Sequence, residues 1–123
     1  MTTTTQTKRL GFTRVQGTTP IPSEAVMLQQ GFRKTFGLWA YCKPVGIHSY
    51  DVTLNFEINP ETGEWGELVL DEAFGQPYYY GLQPTLRDQF IADIDRQVRI
   101  LQTSGLTGLT VNHHDYGVQE DAA

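Results

Sequence analysis

The sequence predicts an α+β domain: an antiparallel sheet of about four strands, a three-stranded meander plus a C-terminal strand, with one long amphipathic helix on one face and a short N-terminal helix. Three observations predict it. Residues 48–58 alternate strictly, with His48, Tyr50, Val52, Leu54, Phe56 and Ile58 on one side, which is the period of a half-buried strand. The tract Asn59-Pro60-Glu61-Thr62-Gly63 follows at once; Pro60 presets a turn dihedral and Gly63 supplies the positive one that returns the chain as a hairpin. Leu86, Phe90, Ile94, Val98 and Leu101 then recur at four- and three-residue steps, a single buried helical stripe.

In chain order, residues 1–7 are Thr-rich and polar, a disordered tail without the apolar stretch of a signal peptide. Pro20 and Pro22 hold an extended turn. Ser23 then caps a short helix that Glu24 suits at its positive end and Gly31 stops. Residues 36–42 put Phe36, Leu38, Ala40 and Cys42 on one side and Trp39 and Tyr41 on the other, a strand expected to be covered on both faces. Pro44 and Gly46 break the chain before the alternating strand. The return strand of the hairpin, residues 64–71, sets Leu68 and Leu70 toward the core. Residues 73–84 are irregular. Thr85 and Asp88 resemble a capping box for the long helix, Asp95 and Arg99 form a four-residue ion pair on it, and Ser104-Gly105 ends it. Residues 106–114 read as the last strand and 117–123 as an acidic tail.

The 123 residues make one domain, 1–123, large enough for a core without disulfides or metals. The single cysteine, Cys42, excludes an internal disulfide, suits a reducing, cytoplasmic setting and reads as a small buried hydrophobe. No apolar run is long enough to span a bilayer, so no membrane partner is expected. The net charge of -5 hides a split. Through residue 50, Lys8, Arg9, Arg14, Arg33, Lys34 and Lys43 face only Glu24; residues 51–86 carry seven acidic residues and no basic one. That balance makes nucleic acid an unfavoured partner overall, since phosphate binding needs clustered cations.

Three constellations remain. The acidic hairpin Glu57, Glu61, Glu64, Glu67, Asp71 and Glu72, followed by Tyr78, Tyr79 and Tyr80, offers a field that steers a basic partner and tyrosines that give rigid contact area. The leading expectation is therefore a non-enzymatic protein-binding module of inhibitor or adaptor type, of the size phages and mobile elements encode, with a homodimer pairing basic and acidic segments as a variant. The alternative is a metal-binding or metal-dependent site from His48, His113, His114 and Asp115, weakened because neighbouring strand residues point to opposite faces. The third is single-stranded nucleic-acid binding by Lys8, Arg9, Arg14, Arg33 and Lys34 interleaved with Phe12, Phe32 and Phe36. No phosphate-cradling glycine loop, nucleophile elbow, paired C-x-x-C or H-E-x-x-H occurs. No cofactor, metal or catalytic residue is assigned.

Overall fold

A computed structural model describes residues 15–46, 52–71, 78–82 and 84–118. Five strands form one antiparallel sheet: β1 (Val15–Thr18), β2 (Arg33–Thr35), β3 (Leu38–Pro44), β4 (Thr53–Ile58) and β5 (Glu64–Asp71), in the order β1-β5-β4-β3-β2. Among the described residues the helices are α1 (Glu24–Gln29) and α2 (Arg87–Thr103), and 3-10 turns occupy Tyr80–Leu82 and His113–Tyr116. The α+β class holds, with β2 to β5 as an antiparallel meander and β1 added beside β5.

The hairpin forms as its residues dictate. The Asn59 side-chain oxygen accepts from the Glu61 amide at 2.8 Å, the Gly63 amide donates to the Asn59 carbonyl at 2.8 Å, and Gly63 has φ 79°. In α1 the Ser23 hydroxyl accepts from the Val26 amide at 3.3 Å and Gly31, at φ 99°, turns the chain out. Along α2 the expected stripe is buried: Phe90, Ile94, Val98 and Leu101 lie in one cluster with Trp39, Tyr41, Leu54, Phe56, Ile58 and Trp65 of the sheet. Phe32, Tyr41 and Phe56 meet at ring separations of 5.0–5.8 Å, offset and edge-on contacts that fill a core densely.

Four expectations change. Residues 106–114 form no strand. The Leu106 amide bonds Leu101 O at 3.1 Å, the Gln102 side chain donates to Leu109 O at 2.7 Å and the Gly108 amide donates to the Thr19 hydroxyl at 3.0 Å. The backbone groups a ladder needs are thus spent on the helix end and on the Thr19 loop, while Leu106 and Leu109, both fully buried, seal the base of the core. The sheet edges belong instead to β1 and β2. Second, the two faces of β3 are buried unequally: Trp39 and Tyr41 are buried on the face toward α2, while on the other face Leu38 is buried, Ala40 half-buried and Cys42 exposed. Third, α2 starts at Leu86 with no side-chain cap. Fourth, Asp95 bonds His113 rather than Arg99, and the ion pairs within α2 among the described residues are Arg87 with Asp88 and Asp93 with Arg96. Gly117 and Val118, expected in the tail, close the last 3-10 turn through Val118 N to His113 O at 3.3 Å; residues 1–7 and the rest of the C-terminal tail lie outside the described residues.

Candidate functional site

The strand register fixes which turns share an end of the sheet. Trp39 pairs with Ile58 and Pro44 with Thr53, while Thr35 pairs with Leu38 and Ile58 with Trp65. The β2–β3 turn and the β4–β5 turn therefore project side by side from one end. The first is a two-residue connection, Phe36-Gly37, with φ 52° and 83°. Positive dihedrals at both central residues match the right-handed twist of the flanking strands, and such turns are ordinarily filled by Asn-Gly or Gly-Gly. Phe36 is the one non-glycine residue with positive φ among the described residues, and its side chain is 94 % exposed. A phenyl ring there bears the steric cost of the left-handed region without any packing return. Exposed Arg33 and Lys34 precede it on β2, with the Lys34 ammonium 4.8 Å from the Trp39 ring centroid. Beside it, Glu61 is exposed at the β4–β5 turn and Glu64 half-buried just after it.

The acidic and tyrosine residues whose side chains are described are spread along the sheet, with Glu61 and Glu64 at the Phe36 end and Tyr78, Tyr79 and Tyr80 toward the other. Glu57 is half-buried on β4, pairing across to Ala40 and Gly66, on the sheet face away from α2. Glu67 and Asp71 belong to β5, and Asp71 pairs with Thr53 at the far end from Glu61; Glu72 lies outside the described residues. The tyrosines also sit at that far end. Tyr78 and Tyr80 pack on Phe90 at 5.2 and 5.8 Å, and Phe90 lies against Gly46, just past the end of β3. Tyr80 is fully buried, Tyr78 half-buried, and Tyr79, 49 % exposed, gives the contact area.

His113 joins a half-buried chain of hydrogen bonds that runs from the buried Tyr80 out to Asp95. Its Nε2 lies 2.8 Å from Asp95 Oδ1 and its Nδ1 meets the Tyr80 hydroxyl. The carboxylate only accepts, so Nε2–H donates to Asp95 and Tyr80 O–H donates to Nδ1. Burial, then Tyr116, Asp95 and Asp115, push the Tyr80 phenol well above its ordinary value. His114 turns away and its Nδ1 meets Val118 O at 2.9 Å, while Asp115 is exposed. His113, His114 and Asp115 are not brought together, and among the described residues no three His, Cys, Asp or Glu side chains form a metal-holding group; His48 lies outside them. With both ring nitrogens of His113 engaged and the tyrosine buried, the chain ties the 3-10 turns to α2. Sequence spacing gave no sign of the Asp95–His113 pair. The Phe36 tip was not read from the sequence: residues 36–42 were expected as one strand, but β3 starts at Leu38 and Phe36-Gly37, both at positive φ, form the turn before it.

Compared with known proteins, the chain matches no protein-family description, no curated protein and no solved structure. Its class therefore rests on its own geometry: a small α+β domain with an open antiparallel sheet, a helix on one face and an aromatic, two-signed turn end.

Proposed function

We propose that the chain is a non-enzymatic protein-binding module, inhibitor or adaptor in kind, whose contact surface is the sheet end formed by Phe36 and the Glu61–Glu64 turn. The exposure of Phe36 at a positive φ carries this reading. Aromatics buried at the centre of an interface supply most of its energy, and flanking charges set approach and register. The partner accordingly has an apolar pocket for the ring, cations toward Glu61 and Glu64 and carboxylates toward Arg33 and Lys34. An exposed free thiol at Cys42 suits the reducing, cytoplasmic setting expected from the sequence.

A second reading, single-stranded nucleic acid stacked on Phe36 beside Arg33 and Lys34, uses the same tip; Phe32, buried in the core, is not available to it. Charge reversal separates the two. A partner is captured from the native host by the full chain, and its affinity is measured for Phe36→Ala, Phe36→Asn and the double variant Glu61→Lys/Glu64→Lys. Phe36→Ala is expected to weaken binding by about thirtyfold, the scale of an interface hot spot. Phe36→Asn is expected to stabilise the fold by about 1 kcal/mol, because Asn-Gly tolerates this turn, while binding is lost. The lysine variant slows association with a protein and strengthens retention of single strands. Unchanged protein affinity in Phe36→Ala and in the lysine variant removes the proposal.

A further inference from the structure

Away from both turn ends, a cleft of about 240 Å³ opens between the C-terminal end of α1, the end of β3 and the second half of α2. The acceptors of its inner wall are engaged. The Tyr41 hydroxyl donates to Gln97 Oε1 at 2.8 Å, and Gln97 Nε2 donates to Pro44 O at 2.9 Å. Asp93, the carboxylate nearest Arg96, accepts from Arg96 Nε at 3.0 Å through Oδ1 and from the Gly46 amide at 2.8 Å through Oδ2.

Its donors, in contrast, are spare. The Lys43 ammonium sits 5.5 Å from the Tyr41 ring centroid and has no carboxylate partner among the described residues. Arg96 engages Asp93 through Nε and Nη2, leaving Nη1 open. The Gln30 side-chain amide on the rim has no hydrogen-bond partner among the described residues. Gly31 lets the Lys43 stem into this position, since a Cβ there would stand 2.6 Å from Lys43 Cε. Burial pushes the Tyr41 phenol up to about 12, so no phenolate opposes an incoming anion. In a chain of net charge -5, a recess with the Lys43 cation, the open Nη1 of an Arg96 shared with Asp93 and an apolar wall suits a ligand that is an acceptor on one side and hydrocarbon on the other.

We propose that this cleft binds a small phosphate monoester, its phosphate oxygens accepting from Lys43, Arg96 and Gln30 and its carbon body resting on Pro44, Ile100 and Leu101. The three donor side chains come from three different elements, which suits three terminal oxygens on a tetrahedral centre better than the two coplanar oxygens of a carboxylate.

The test titrates the full chain with phenyl phosphate, following the side-chain amides of Gln30 and Gln97 by NMR, with inorganic phosphate and benzoate in parallel. Saturable shifts are expected for phenyl phosphate, with weaker binding of inorganic phosphate, which lacks the carbon body, and of benzoate. Lys43→Met keeps the stem and removes the charge, and Arg96→Met changes an exposed position, so a fold defect in one leaves the other as the measurement. Each is expected to lower affinity by about tenfold or more, the scale of one charge-assisted hydrogen bond, whereas Lys34→Met leaves it unchanged. The proposal is overturned by an absence of saturable shifts, by affinity unaltered in Lys43→Met and Arg96→Met, or by benzoate binding as tightly as phenyl phosphate.

Discussion

Two buried phenols give the molecule its response to alkali. Tyr41 donates to Gln97 and Tyr80 to His113, and burial raises both above the ordinary value of 10.0, Tyr41 to about 12. The unfolded chain ionises these tyrosines near pH 10 while the folded chain keeps its protons, so between those values the folded state binds more protons than the unfolded one. The linkage sign follows: stability is complete below about pH 10 and falls as pH rises toward 12. Denaturant midpoints at stepped alkaline pH, read beside tyrosinate absorbance, check this. The fall is expected to shrink in Tyr41→Phe, and a flat stability profile through that window would contradict it. Neither phenol's partner was legible in the sequence. Gln97 is a polar residue within an apolar helical stripe and His113 lies in a stretch whose alternation suggested a strand; only the fold brings them to their hydroxyls.

At the scale of elements, the two 3-10 turns cross in close backbone contact. Tyr80 and Tyr116 stack at 5.5 Å, and the residue after each is a glycine; a Cβ at Gly81 would stand 2.1 Å from the Gly117 carbonyl carbon. Backbone meets backbone there, and neither side can yield as a flexible side chain would. Gly81→Ala is therefore expected to cost about 2–4 kcal/mol. Gly37, whose Cβ position meets nothing within 4 Å but whose φ is 83°, isolates the dihedral penalty, about 1 kcal/mol for alanine. Thermal melts of the two variants compare contact with strain, and equal losses would deny the crossing its importance. Elements with a strong local period, the β4–β5 hairpin and α2, were readable because their own residues decide them. The 106–114 segment was misread because its alternation of Leu109, Val111 and His113 is satisfied equally by a path that folds back on Leu101 and Thr19, and local pattern does not choose between a ladder and such a path.

For the whole molecule, the charge split in the sequence becomes a gradient across the sheet. β2 and β3 carry Arg33, Lys34 and Lys43 on one side, and β4 and β5 carry Glu57, Glu64, Glu67 and Asp71 next to them. The acidic hairpin was legible as a hairpin, and its carboxylates as a set. That Glu61 and Asp71 stand at opposite ends, with the tyrosines near the latter and Phe36 near the former, follows from register, which one strand's pattern does not reveal.

The strand order also sets when the chain can be completed. Both outer strands, β1 and β2, come from residues 15–35, while β3, β4 and β5 fill the centre. β2 pairs with β3 through a two-residue turn, but β1 pairs with β5, far along the chain, and so has no partner strand until the β4–β5 hairpin exists. The N-terminal segment then acts as a guard rail, short and polar where an unpaired strand edge would recruit other chains. A chain beginning at residue 36 is expected to keep the hairpin but to form soluble oligomers and fibrillar aggregates, and addition of a peptide spanning residues 15–35 is expected to suppress them. Light scattering with and without the peptide decides it: a truncated chain that stays monomeric shows that the sheet needs no such guard.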